Sequence, residues 1–190
     1  MKIARAKLIS ISPYSQSRKI QSEKIDKEGP ADFEKRAWRE RAHCDSTGEC
    51  FIPPMQFKKT VEISAKFLKM RIPDRGKAEY GKHLKAGILV TEPLPLKITK
   101  TEMQGEWLFV PSSGRSGGGS RVDKCFPLFS KWEGTVDFYV LDETITEVVF
   151  RKHLEEAGNF VGIGRFRPEN GGFYGRFRVE SLKWLNGTAA

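Results

Sequence analysis

The chain has 190 residues, of which 38% are hydrophobic and 30% are charged, and its formal net charge is +9. This length suffices for one domain with its own core, and no apolar run reaches the roughly 18 residues that a membrane helix needs. The positive charge favours an anionic partner, with nucleic acid ahead of an acidic membrane surface.

The N-terminal half begins with a strand and a long polar stretch. Basic and apolar residues mix over 2–12, which predicts a β-strand and lacks the continuous apolar core of a signal peptide, so we expect a cytoplasmic protein. Residues 13–30 are polar and end in Gly-Pro, which predicts an exposed loop. Pro30 fits the first turn of a short helix over 30–42.

Two further helices have stronger signals. Pro54 fits the start of a helix over 54–70, in which apolar residues recur at helical spacing. Thr144 and Glu147 have capping-box spacing and predict a helix over 145–157. Each of these helices therefore follows a predicted strand or loop and precedes another strand.

The remaining strands complete the element order. Apolar residues predict strands at 87–91 and 106–110, and alternation predicts one at 134–141, while "PSSGRSGGGS" at 111–120 has the composition of a flexible loop. The order predicts an α+β fold in a single domain, with a ferredoxin-like or RRM-like βαββαβ core, long insertions and a glycine-rich loop before the last strand. Both helices would cover one sheet face and leave the other free to bind.

The segment "GIGRFRPENGGFYGRFRV", residues 162–179, combines glycines, arginines and aromatic residues. Its second half predicts the last strand, because apolar and polar residues alternate there. The face predicted to point inward holds Phe173, Phe177 and Val179, and the outward face holds Tyr174, Arg176 and Arg178.

These residue types suit a phosphate backbone. Arginine forks bind phosphates, aromatic rings stack on bases, and glycine lets a backbone approach a ligand closely. "GRSGGGSR" repeats the combination. The predicted phosphate-binding residues are Arg165, Arg167, Arg176, Arg178, Arg115, Arg121 and Lys124, and the predicted stacking residues are Phe166 and Tyr174. The predicted close-approach glycines are Gly162, Gly164, Gly171, Gly172, Gly117, Gly118 and Gly119. The alternative is structural: a hairpin turn at the Gly171-Gly172 pair with solvated arginines.

The βαββαβ order, with "GNFVGIGRFRPENGGFYGRF" after the last helix, resembles the RAMP superfamily of CRISPR RNA-binding proteins, in particular the backbone subunits that polymerise along a guide RNA. The resemblance implies ferredoxin-like cores, binding of single-stranded RNA through its phosphates, head-to-tail homo-oligomers and other ribonucleoprotein subunits as partners. It also implies that insertions 13–50 and 72–105 project. The chain resembles phage and prophage proteins as well, so a protein-binding module that inhibits a host defence complex is the alternative.

Catalytic chemistry has few candidates. A third hypothesis, a small metal-independent ribonuclease, would use His43 or His83, whereas His153 is expected to be a packed or solvated helix residue. The three cysteines are Cys44, Cys50 and Cys125. Their spacing is not that of a zinc site, so we expect no metal, and free thiols are the default in a reducing cytosol. Because catalytic candidates are sparse and no nucleotide-binding motif is present, we also expect no cofactor and no catalysis. RNA and single-stranded DNA stay open, because only contacts to the 2′-hydroxyl distinguish them.

Overall fold

The computed structural model describes residues 1–112 and 120–187. The helices and strands are β1 (Lys2–Ser10), β2 (Tyr14–Ser15), α1 (Pro30–Ala37), β3 (Glu49–Ile52), α2 (Pro54–Leu68), α3 (Gly81–Ala86), β4 (Ile88–Leu89), β5 (Leu94–Thr99), β6 (Gln104–Pro111), β7 (Arg121–Phe129), β8 (Glu133–Val140), α4 (Glu147–Glu156) and β9 (Phe177–Asn186). None of the described helices is long and apolar enough to cross a membrane.

The main sheet has the strand order β4-β8-β1-β9, and every neighbouring pair is antiparallel. With α2 between β1 and β4, and α4 between β8 and β9, this is the βαββαβ ferredoxin-like arrangement. The predicted fold class is therefore confirmed. The boundaries predicted for α2, β8 and α4 agree with the structure to within two residues at each end.

Small residues on β1 make room for large ones beside them. Ala4 and Ala6 are fully buried, and Ala4 is the register partner of Phe138. Phe138 in turn contacts Phe150 of α4 edge-on, with ring centroids 5.1 Å apart. The N-cap of α4 is Thr146, whose side chain accepts a hydrogen bond from the Val149 N–H, and not Thr144 as the capping-box spacing predicts.

The two insertions contribute to the core. A second sheet has the order β2-β7-β6, and β3 pairs with β5. Tyr14, Ser15 and Gln16 are buried, so the prediction of an exposed loop over 13–30 is wrong at its start. Their polar atoms find partners inside the protein: the Gln16 amide donates to the Phe51 carbonyl and accepts from the His43 N–H. Periodicity gives no sign of such isolated buried residues.

The last strand begins at Phe177, later than predicted. The preceding residues turn, and Gly175 has φ +73°, which breaks the alternation before the strand starts. As a result Tyr174 is buried and Phe173 is 53% exposed, the reverse of the prediction. The inward position of Phe177 is confirmed, since it is fully buried.

Candidate nucleic-acid interface

The segment 162–176 is termed here the glycine-rich loop. It follows a π-helical turn at Ala157–Val161, and its first residue, Gly162, has φ +71°. A Cβ on Gly164 would overlap the Ser15 carbonyl, and one on Gly172 would overlap the Phe166 carbonyl. The glycines thus allow the chain to approach its own backbone. At Gly171 the space around an added Cβ is open, so only its positive φ of +75° favours glycine there.

Arg165 is held inside the protein. Its side chain is 15% exposed, pairs with the Glu106 carboxylate at 3.0 Å and donates to the Ser15 hydroxyl. Its guanidinium lies 4.1 Å from the ring centroid of Phe126 and 4.9 Å from that of Tyr174. Cation–π contacts and a part-buried ion pair both fix this arginine. Arg165 therefore anchors the glycine-rich loop to β6 and β7.

Tyr174 completes the same cluster. Its phenol donates to the Glu106 carboxylate, and burial together with that carboxylate raises the pKa of Tyr174. Its ring lies beside that of Phe173, with centroids 4.3 Å apart. The predicted outward row of tyrosine and arginines is not formed, because Tyr174 and Arg176 precede β9 instead of lying in it.

The other predicted arginines of the glycine-rich loop and β9 each have a local partner. Arg167 pairs with Glu169 at 2.6 Å, and Arg178 pairs with Glu180 at 2.5 Å. Arg176 donates to the carbonyl of Asn159. Of the two ion pairs, the Arg178 pair is the more exposed, and it lies on β9. These partners reduce the charge that each arginine presents to a ligand.

Phe166 has an unusual backbone. Its φ is +45°, in the left-handed region that a bulky side chain seldom adopts, and its side chain is 51% exposed. It lies between Arg165 and Arg167. The glycine-rich loop thus holds an aromatic ring in solvent at a conformational cost.

A groove of about 380 Å³ lies between the glycine-rich loop, the start of α2 and the residues after β2; we term it the basic groove. Its cationic lining residues are Arg18, Lys59, Arg165 and Arg167. Among the described residues, none that lines the groove is Asp or Glu. Its other walls include His43, the buried Thr60 and the exposed Met55. The groove therefore combines positive charge with apolar surface.

Arg18 and His43 are the groove residues that sequence reasoning missed or assigned differently. Among the described residues Arg18 forms no ion pair, while Lys59 pairs with Glu62 at 2.7 Å. Burial, and then the charge of Arg18, lower the pKa of His43 below its usual 6.5. No periodicity or motif marks Arg18, which lies in the polar segment that the sequence predicted as an exposed loop.

A second cavity, of about 530 Å³, lies between α1 and the β6–β7 hairpin. It includes the predicted residues Arg121 and Lys124, together with Phe109, but also the carboxylates of Glu34 and Asp123. Exposed aromatic residues on β6, Trp107 at 48% and Phe109 at 61%, were also not predicted. The other predicted residues of this hairpin lie outside the described part of the chain: Arg115, Gly117, Gly118 and Gly119.

The element order of the sequence predicts that the face of the main sheet opposite the helices is free to bind nucleic acid. An aliphatic and aromatic row crosses all four strands in register: Leu89, Tyr139, Ile3 and Leu185. Beside it Arg5 donates two hydrogen bonds to Asp137, at 2.8 and 2.7 Å. In these rows the face offers one aromatic ring, the paired Arg5 and the exposed Lys183. The basic groove brings four cationic side chains together, so it is the better candidate interface.

The histidines occupy three separate environments. His43 lines the basic groove, His83 lies 2.6 Å from an Asp142 oxygen, and His153 is fully buried in α4 with its Nδ1 against the Val149 carbonyl. Burial lowers the pKa of His153. Across residues 1–112 and 120–187, no three His, Cys, Asp or Glu side chains are grouped to hold a metal ion.

Comparison with solved structures gives a fold neighbour. The chain is similar to a chain from the cryo-EM structure of the type III-B Cmr-beta bound to cognate target RNA, with a TM-score of 0.54 and 11% identity. The match covers 97% of this chain and 60% of the other, so this chain spans less than two thirds of its neighbour's length. At this identity the likeness concerns the fold alone. No family model matches the chain, and no curated protein matches it.

Proposed function

We propose that this protein binds single-stranded RNA by gripping its phosphates in the basic groove. The observation that carries the proposal is the lining of that groove, which in the described part of the chain has four cationic side chains and no Asp or Glu. Phosphates are attracted to such a surface, and the attraction is largely independent of base sequence.

Each residue of the basic groove would make a different contact with the RNA. Arg18 offers a guanidinium without an ion pair in the described chain, and Lys59, with a side chain 52% exposed, can leave Glu62 for a phosphate. Arg167 can exchange its contact with Glu169 in the same way. Phe166, exposed beside the groove, supplies a ring on which a base can stack.

The fold neighbour supports RNA over single-stranded DNA as the ligand. That neighbour belongs to a Cmr structure that contains target RNA. In our proposal this protein is likewise a subunit of a CRISPR-like ribonucleoprotein, repeated along the strand and acting without catalysis. Repetition predicts that the number of bound copies rises with the length of the RNA.

A fluorescence-anisotropy titration with labelled single-stranded RNA tests the proposal. We expect binding at low salt and a loss of affinity on raising the salt concentration, because counterions released from the phosphates drive the association. Single-stranded DNA and duplex RNA of the same sequence are the comparison ligands. Absence of RNA binding at low salt, or binding without any salt dependence, would contradict the proposal.

The same samples test the absence of catalysis. After long incubation without added metal, the RNA should be intact on a denaturing gel. Cleavage that disappears in His43→Ala or His83→Ala would instead support the ribonuclease hypothesis. A host protein complex that copurifies and survives nuclease treatment, together with no RNA affinity, would support the inhibitor hypothesis.

A further inference from the structure

Two of the three cysteines face each other at the base of a short hairpin. Cys44 and Cys50 form an antiparallel bridge, and their Sγ atoms lie 3.1 Å apart as free thiols. Two backbone hydrogen bonds flank this pair: the Phe51 N–H donates to the His43 carbonyl at 2.9 Å, and the Asp45 N–H donates to the Glu49 carbonyl at 3.0 Å. Cys44 and Cys50 therefore occupy a non-hydrogen-bonded pair, the position at which cross-strand side chains come closest.

The two thiols differ in their access to solvent. Cys44 is half-buried and borders a cavity of about 440 Å³, whose charged lining residues are Arg18, Lys100, Glu40 and Asp45. Cys50 is fully buried, and that burial raises its pKa to about 12. An incoming reagent can thus reach Cys44 first, while Cys50 is held in contact with it from the inside.

Cys125 provides an internal comparison. It is also fully buried, and burial raises its pKa to about 11. Its Sγ lies under Gly105, on the sheet face that Trp38 covers. It has no second thiol beside it in the described chain, so the Cys44–Cys50 pair is distinguished by its partner as well as by its access.

We propose that Cys44 and Cys50 form a thiol–disulfide exchange site that reacts with a low-molecular-weight disulfide such as oxidised glutathione. The Cys44 thiolate attacks one sulfur of the small disulfide, whose S–S bond breaks and releases one thiolate. Cys50 then loses its proton to water and attacks the Cys44 sulfur, which releases the second thiolate. The protein dithiol is oxidised to a disulfide, and the small disulfide is reduced to two thiols.

The geometry is suited to the second step. The Cα atoms of a non-hydrogen-bonded pair are about 4.5 Å apart, which lies within the range of a disulfide, and the two Sγ atoms are already 3.1 Å apart. The bond would close the hairpin between the cysteines and fix the strand pairing of His43, which contributes to the wall of the basic groove. This inference does not depend on RNA binding.

Differential alkylation with peptide mapping tests the site in the wild-type protein. The folded chain is incubated with oxidised glutathione, quenched in acid, alkylated and digested with trypsin. Cleavage after Arg41, Lys58 and Lys124 places Cys44 and Cys50 together in the peptide 42–58 and Cys125 in another. We expect peptide 42–58 to be lighter by two hydrogens and closed to alkylation, and Cys125 to stay alkylatable. Dithiothreitol should reverse the change.

Single substitutions separate the two steps. Cys50→Ser should trap a glutathione adduct on Cys44, and Cys44→Ser should leave Cys50 unmodified. The oxidised wild type should also melt about 5 °C above the reduced protein, because the bond constrains the unfolded chain. If either variant fails to fold, the wild-type map decides alone. Free thiols at both cysteines under excess oxidised glutathione, or a stable adduct on wild-type Cys44, would overturn the proposal.

Discussion

The basic groove is built from two segments that use arginine in opposite ways. In the glycine-rich loop, Arg165 and Arg167 are paired with Glu106 and Glu169, so most of their charge serves the fold. In the segment after β2, Arg18 reaches the same groove without an ion pair in the described chain. The arginine-rich motif therefore positions the groove, and the less conspicuous segment supplies its available charge.

The largest loss of stability should follow from a glycine substitution in the glycine-rich loop. We expect Gly175→Ala to lower the free energy of unfolding by about 3 kcal/mol or more, because its φ is +73° and the new Cβ would overlap the Ile163 carbonyl. Gly171→Ala is the matched control, with φ +75° but open space around it, and should cost about 1 kcal/mol. Urea unfolding measures both. Equal costs would show that close packing of the loop contributes nothing.

Removing the anchor of the loop should have the next largest effect. Arg165→Ala leaves the Glu106 carboxylate without its cation, and we expect a loss of about 2 kcal/mol, less than for a fully buried pair. Tyr174→Phe removes one hydrogen bond to the same carboxylate and should cost about 1 kcal/mol. An Arg165→Ala variant with wild-type stability and reduced RNA affinity would mean that this arginine belongs with Arg18 and not with the fold.

His153, on the helix α4 that precedes the glycine-rich loop, should make the free energy of unfolding depend on pH. His153 is fully buried, and its pKa in the folded protein lies below the usual 6.5. Below pH 6.5, His153 is therefore protonated in the unfolded chain while it is still neutral in the folded chain. The free energy of unfolding should fall by up to about 1.4 kcal/mol per pH unit until the folded-state pKa is reached. Urea titrations at several pH values measure this slope. His153→Phe should reduce it, and an unchanged slope would contradict the assignment.

Arg18 and Arg178 should differ in their contributions to RNA affinity, by a smaller but measurable amount. We expect Arg18→Ala to reduce RNA affinity about fivefold, which corresponds to about 1 kcal/mol, the contribution of one typical hydrogen bond. Arg178→Ala, which removes the same charge from the Glu180 pair on β9, should change affinity less than twofold. Anisotropy titrations at one salt concentration compare them. Equal losses would indicate that net charge matters and the groove does not.

Periodicity predicted the parts of the fold that depend on repeated local patterns. The ferredoxin-like core follows from α2, α4 and the alternation in β8, each of which carries several consistent residues. The insertions do not follow, because β2 has two residues and its burial depends on contacts with β7 far along the chain. Local sequence cannot report such pairing.

The candidate site was located in part. The glycine-rich loop borders the basic groove. Strand alternation misplaced Tyr174, because Gly175 has a positive φ and interrupts the alternation before β9 begins. Arg18 could not be found from sequence at all. Its role in the proposal depends on its place in the basic groove and on its having no ion pair among the described residues, and only the folded chain determines both.

The central claim, that RNA phosphates bind in the basic groove, is tested most directly by salt-dependent anisotropy on paired double variants. Arg18→Ala with Lys59→Ala removes two groove cations, and Arg151→Ala with Lys152→Ala removes the same two charges from α4. We predict that the groove variant binds at least tenfold more weakly and that its slope of log affinity against log salt falls by about 1.4, or about 0.7 per lost phosphate contact. The α4 variant should keep the wild-type slope. Equal affinities and equal slopes for the two double variants would contradict the account.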